Sequence, residues 1–229
     1  MVAALGEKQI KRLLTQHLRA AEEGTRARLL SELCVAQFAR RADVVLVNGH
    51  LSAFEIKGER DKLDRLPGQI ATYLQHFERV TVVCAARHTA AVLKIAAESV
   101  GVWEARETGF ETLREAAPCA PLSLEAWLSY LPVKVLTELL AKFGLKPSGR
   151  RREHLLDAAA ALPIAEVRNA ALRYLKSPQR ASRIRQAKAA RRAAADPVEL
   201  HRLRVQEYLR LAAAAGGAMT AIPRLKTTR

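Results

Sequence analysis

Acid, paired cysteine and long apolar runs are all scarce in this chain. Its 229 residues hold 38 Lys+Arg against 23 Asp+Glu, a formal charge of +15. Three cysteines, Cys34, Cys84 and Cys119, are odd in number and far apart. That spacing excludes a disulfide framework and a zinc knuckle, and it points to reduced thiols in a cytoplasm. No apolar run approaches the roughly 18 residues of a membrane span. The N-terminus lacks the apolar core of a secretory leader. The expectation is a cytoplasmic protein with no membrane contact. No Gly-rich phosphate cradle is present, which excludes an NTPase engine within these residues. His17, His50, His76, His88, His154 and His201 show no ligand spacing. Trp103 and Trp127 read as core residues rather than base-stacking platforms. No internal repeat of 20–50 residues is visible.

What is present is an ordinary globular balance, 49% hydrophobic and 27% charged. The base is unevenly placed. From Arg150 onward there are 18 Lys+Arg and 6 Asp+Glu. Such asymmetry points to a polyanion, first of all nucleic acid. The plain alternative is a solvated cationic surface.

Periodicity sets the organisation. Residues 7–38 read as mostly helical, with a break at Gly24 and a second helix from Thr25 through Leu33. Residues 42–47 and 51–57 read as strands, 66–77 as a helix with Pro67 in its first turn, and 79–86 as a buried strand. A helix over 88–99 and a short strand at 101–105 follow. From about Leu122 only helices are expected, at 123–131, 133–143, 151–161, 180–195 and 197–215. The expected regions are an α/β domain over 1–117, a helical basic region over 122–215 and a loose tail over 216–229.

The stretch from Arg41 to Tyr73 carries the chemistry. Asp43 opens one strand, and Glu55 and Lys57 close the next. Strand side chains alternate, so Glu55 and Lys57 share a face and Ile56 takes the other. Two carboxylates and a lysine on one face can hold a divalent cation and a reacting water, which is chemistry for cutting a phosphodiester. Sharing that face depends on the hairpin register. A two-residue Asn48-Gly49 turn pairs Asp43 with Phe54 and turns Glu55 away. An odd loop, Val47-Asn48-Gly49, sets Asp43 opposite Ala53 and diagonal to Glu55. The odd loop is the expectation, since a slip of one residue flips every side chain. Mg²⁺, with Mn²⁺ as a substitute, suits such oxygen donors, and Glu32 is a further candidate carboxylate. The bland reading is a set of surface ion pairs. Apolar neighbours Val44, Val45, Phe54 and Ile56 weigh against it, because charges emerging from a buried sheet need partners.

These residues resemble the PD-(D/E)XK nuclease superfamily, in which an Asp on one strand and a Glu-x-Lys on the next form the metal site. Gln69-Ile70-Ala71-Thr72-Tyr73 is similar to the Q-x-x-x-Y helix motif of its RecB-like branch. The stretch from Asp61 to Pro67 also resembles bacterial proteins sharing EIK…LDRLP…Q…Y. The likeness spans about residues 25–105, and Ala42 stands where the superfamily often has Pro. It implies a restriction-endonuclease-like core, a mixed sheet flanked by helices. The implied metal ligands are Asp43, Glu55, the Ile56 backbone carbonyl and Glu32. Glu32 matches an acid common in the first helix. Lys57, Gln69 and Tyr73 are implied as further catalytic-site groups. The implied activity is hydrolysis of DNA that leaves 5′-phosphate and 3′-hydroxyl ends. Some members keep the fold without cutting, so a DNA-binding scaffold is the rival, as is a subunit active only with a partner. Homodimerisation and a partner helicase are left open.

Residues 133–162 resemble a SAP-type helix–extended–helix DNA-binding motif. Leu136, Leu139, Leu140, Leu145, Leu155 and Leu156 would form its small core. Ser148, Gly149 and Arg150, Arg151 and Arg152 would meet phosphates, with Arg41 a further cation beside the strand site. The bland reading is a packing hairpin. The Arg-rich run from Arg180 to Arg192 would add salt-sensitive affinity.

Overall fold

The computed structural model describes residues 5–36, 39–178 and 180. It divides into a unit Met1–Lys176 and a unit Ser177–Arg229. The helices expected at 180–195 and 197–215 and the tail at 216–229 lie, apart from Arg180, outside the described residues.

The first unit is α/β, built on a six-stranded mixed sheet flanked by helices. Helix α1 (Glu7–Ala21) buries Ile10, Leu14 and Leu18, one row at four-residue spacing. Strands β1 (Arg28–Val35), β2 (Arg40–Val47) and β3 (Leu51–Lys57) then run antiparallel. Helix α2 (Leu66–Leu74) crosses to β4 (Arg79–Ala85), parallel to β3. A short 3₁₀ turn and α3 (Thr89–Ile95) lead to β5 (Gly101–Arg106), parallel to β4. Strand β6 (Gly109–Arg114) closes the order antiparallel to β5. Helices α4 (Leu124–Ser129), α5 (Val133–Lys142), α6 (Arg152–Ala159) and α7 (Ile164–Lys176) follow.

Strand β3 shows how the layers form. Leu51 and Ala53 face a core built with α2 and the helices after Leu122. Phe54 and Ile56 face the other core, against Leu5, Ile10, Leu14 and Leu18. All seven β3 residues are buried, as a central strand covered on both faces must be. The first core runs through Leu122, Trp127, Leu136, Leu155, Val167 and Leu175, so the C-terminal helices pack in the same apolar mass as the sheet.

One expected helix is a strand. Residues 28–35 pair with β2 from Arg28 opposite Val47 to Val35 opposite Arg40. Leu29, Leu30, Leu33 and Cys34 suit helical spacing, but the long pairing with β2 decides their state, since tertiary context overrides propensity. Thr25, expected as a helix cap, closes a turn instead. Its hydroxyl donates to the Glu22 carbonyl at 2.8 Å and accepts from Ala27 N–H at 3.0 Å.

Candidate functional site

The β2–β3 loop is odd in length, but it spans Asn48, Gly49 and His50 rather than residues 47–49. Val47 pairs with Leu51, and the ladder runs down to Val44 opposite Phe54. Gly49 takes φ +109°, and Asn48 N–H donates to the His50 carbonyl at 3.2 Å. That backbone conformation strains any residue with a Cβ. One step beyond Val44, Asp43 stands opposite Glu55. The expected opposition to Ala53, with Glu55 on the diagonal, is thus corrected to direct opposition to Glu55, and the shared face is kept. The regular pairing stops here, and the Asp43 carboxylate accepts the Ile56 N–H at 2.9 Å.

Glu55 and Lys57 continue the Leu51–Ala53 row onto the face that α2 covers, which explains their burial at 2% and 7% exposure. A carboxylate so buried needs partners. Lys57 Nζ donates to Glu55 Oε1 at 2.8 Å and to Gln69 Oε1 at 2.9 Å. Gln69 Nε2 donates to Glu55 Oε1 at 2.5 Å. The Tyr73 hydroxyl lies 2.9 Å from Glu55 Oε2 and 2.8 Å from the Arg41 carbonyl. Gln69 and Tyr73 sit one helical turn apart, so α2 lowers both onto one carboxylate. Burial and then the Glu55 charge push the Tyr73 hydroxyl far above its ordinary range, so it stays a neutral donor.

Asp43 is pushed up to about 7. Burial is the largest cause and the facing Glu55 charge the next; the Ile56 N–H and Lys11 oppose them, and Glu7 adds to the rise. Glu7 lines the same cleft as Asp43, Glu55, Ile56, Lys57 and Gln69, a space of about 720 Å³. Ile56 sends its side chain into the opposite core, so its backbone is what it offers the cleft.

Glu7 is the acid that sequence reasoning missed. It comes from the first turn of α1, and Gly58 makes that approach possible. A Cβ on Gly58 would stand 2.3 Å from the Glu7 backbone nitrogen and 2.9 Å from the Gly6 carbonyl carbon. Glu59 N–H donates to the Leu5 carbonyl at 2.9 Å and fastens the same junction. A glycine directly after the Glu-x-Lys was the one available signal.

Glu32 lies on β1 rather than on a helix, with φ +58°. It pairs with Lys11 and, at 2.5 Å, with Arg41 Nε. It is not among the residues lining the cleft. Among the described residues, no group of three or more His, Cys, Asp or Glu side chains is arranged to hold a metal ion. The carboxylates that line the cleft are Glu7, Asp43, Glu55, Asp61 and Asp64.

The 148–152 turn is arranged differently. Leu136, Leu139, Leu140 and Leu155 are buried, with Leu145 and Leu156 packed against them. Arg150 and Arg151 are exposed. Arg152 turns inward and donates to the Leu131 carbonyl at 2.6 Å and the Leu128 carbonyl at 3.0 Å, capping the end of α4. Ser148 Oγ lies 3.2 Å from His154 Nδ1, and Gly149 leaves room for that ring, which a Cβ would meet at 2.5 Å.

Comparison with known proteins places the chain. A solved protein of unknown function from Silicibacter pomeroyi is 20% identical, with a TM-score of 0.41 over 69% of this chain and 95% of that one. Protein cII of Enterobacteria phage P4 is 31% identical over 182 residues, which cover 77% of this chain and 69% of that protein. The family model described as bacteriophage P4 protein cII matches residues 1–204. With so much of its length matched, the chain belongs to the bacteriophage P4 protein cII family.

Proposed function

We propose that this chain is a metal-dependent nuclease that hydrolyses DNA phosphodiester bonds on a PD-(D/E)XK-like core. The observation that carries the reading is the meeting of Asp43, Glu55, Lys57 and Gln69 in one cleft at the carboxyl end of β3, with buried Tyr73 bonded to Glu55 behind them. Asp43 and Glu55 face each other, and burial first, then the Glu55 charge, push the Asp43 carboxyl up to about 7. Lys57 is already committed to Glu55. A second positive charge beside the two acids would offset the charge that Lys57 leaves unbalanced. Hard oxygen donors of this kind suit Mg²⁺ or Mn²⁺, held by Asp43, Glu55 and the Ile56 carbonyl. A bound ion of that type polarises a phosphoryl oxygen and acidifies its water.

The chain's own groups supply the rest. Lys57 brings an ammonium to the same face, where it stabilises charge developing on the phosphoryl group. Gln69 and Tyr73 fix the rotamer of Glu55. Arg150 and Arg151 are the cations of the 148–152 turn free to meet phosphate, while Arg152 serves the fold.

One observation favours the scaffold alternative. Both Glu55 oxygens are already hydrogen-bonded by protein groups, as in a site kept for structure. Thermal unfolding with and without Mn²⁺ separates the two readings. The nuclease reading expects Mn²⁺ to raise Tm in the wild type and leave Asp43→Asn unmoved, because a ligand of the native state stabilises it by mass action. Equal response of both proteins favours the scaffold.

A further inference from the structure

The connection from Gly58 to Arg65, between β3 and α2, forms one lip of the cleft. Arg60, Lys62 and Arg65 line that cleft and are exposed. Asp64 beside them is also exposed and lines the cleft, while Asp61 and the backbone at Gly58 and Glu59 are engaged within the fold. Asp61 accepts the Gly58 N–H at 2.7 Å, and its own N–H donates to the Gly58 carbonyl at 3.0 Å. His88 Nε2 lies 3.1 Å from that carbonyl, and Arg87 donates to the Glu59 carbonyl at 3.0 Å. The Glu59 carboxylate lies 3.9 Å from Arg87. The lip is thus fastened by its own Asp61 and by Arg87 and His88, while its three cations stay at the mouth. Across the cleft, exposed Arg40 reaches the first turn of α2, where Gly68 leaves its guanidinium room at 3.4 Å from a Cβ position.

The floor below holds Asp43 and Glu55 beside Lys57, and at the mouth the exposed cations Arg40, Arg60, Lys62 and Arg65 outnumber the exposed Asp64. That excess of cations suits a chain of phosphates crossing the mouth, with one phosphate lowered toward the floor. A lone carboxylate or a neutral ligand would leave most of these cations unused.

We propose that Arg60, Lys62 and Arg65, with Arg40 opposite, are the contacts that seat a DNA backbone over the site. The inference rests on the nuclease reading for what happens to that strand afterwards. It assigns a larger share of binding to this lip than to exposed cations elsewhere on the fold.

The test is fluorescence anisotropy of a labelled single-stranded oligonucleotide with the full chain in EDTA, across a salt titration. Arg60→Ala/Lys62→Ala/Arg65→Ala is compared with Arg19→Ala/Lys94→Ala/Lys134→Ala, which removes equal charge from exposed positions elsewhere. Circular dichroism first establishes that both fold. The lip variant should bind at least tenfold more weakly. Its salt slope should fall by about 2, at ~0.7 per lost phosphate contact. The control should change less than twofold. Equal affinities for the two variants would overturn the proposal. Cleavage is measured separately with Mn²⁺. Weak lip binding with an inactive wild type keeps the lip and removes the nuclease. Cutting with unchanged lip affinity does the reverse.

Discussion

The β3 site and the 148–152 turn were both expected to meet nucleic acid, and the fold treats them in opposite ways. At β3 the Glu55 and Lys57 charges are buried and bond each other and the Gln69 and Tyr73 side chains of α2. At the turn two arginines stand in solvent, and the third has become a cap for its neighbour helix. Burial separates them. A carboxylate at 2% exposure is costly to keep unless partners or function hold it there. An exposed arginine costs almost nothing and says little by its presence. Arg152 shows the converse hazard, since a cation in a basic run can be wholly occupied by carbonyls.

Stability measurements sharpen that contrast. The largest effect is expected at Lys57. Lys57→Ala leaves the Glu55 charge buried without its cation and should cost about 3–5 kcal/mol in urea unfolding. Arg151→Ala in the same assay should stay within about 0.5 kcal/mol. Arg152→Ala comes next, at about 2–3 kcal/mol, because the Leu128 and Leu131 carbonyls lose charged donors. Its DNA affinity at a temperature where it stays folded should match the wild type. A large affinity loss there would return Arg152 to the binding surface.

Tyr73→Phe should cost about 1–2 kcal/mol, since it removes the hydroxyl between Glu55 and the Arg41 carbonyl. The smallest effect is a pH dependence. Asp43 titrates near 7 when folded, above its ordinary 3.8. A carboxyl raised by folding stabilises most below its unfolded value, and that contribution drains away as pH rises through 7. Asp43→Asn should therefore gain on the wild type between pH 5 and 8, by about 1–2 kcal/mol at the upper end. A constant difference across that range would mean that neither burial nor the Glu55 charge raises the Asp43 carboxyl.

The site was more legible than the sheet around it. Alternation alone places Glu55 with Lys57, and four-residue spacing places Gln69 with Tyr73. The loop's odd length followed from the need to keep Asp43 on that face, but its position did not, because Asn48-Gly49 fits more than one register. Strand β1 was hidden because RLLSELCV has both helical and extended spacing, and only its partner β2 decides. Strand β6 has no buried residue and lacks alternation, and its Glu107-Thr108 turn carries no glycine. Helix α7 did leave signs, Pro163 before it and Val167, Ala171 and Tyr174 on one side. Glu7 left a single sign, Gly58 directly after the Glu-x-Lys, because the Gly58 approach and the Glu59–Leu5 hydrogen bond are what bring the start of α1 to the end of β3.

The most direct test of the nuclease reading is cleavage of labelled linear and circular DNA, single- and double-stranded, by wild type, Asp43→Asn and Lys57→Gln. Each is assayed with Mg²⁺, Mn²⁺ or EDTA. Lys57→Gln keeps a donor to Glu55 while removing the charge. The expected result is metal-dependent cutting by the wild type, absent in EDTA and lost in both variants while they stay folded. Cutting by both variants at the wild-type rate, or none by the wild type under any metal, would contradict it.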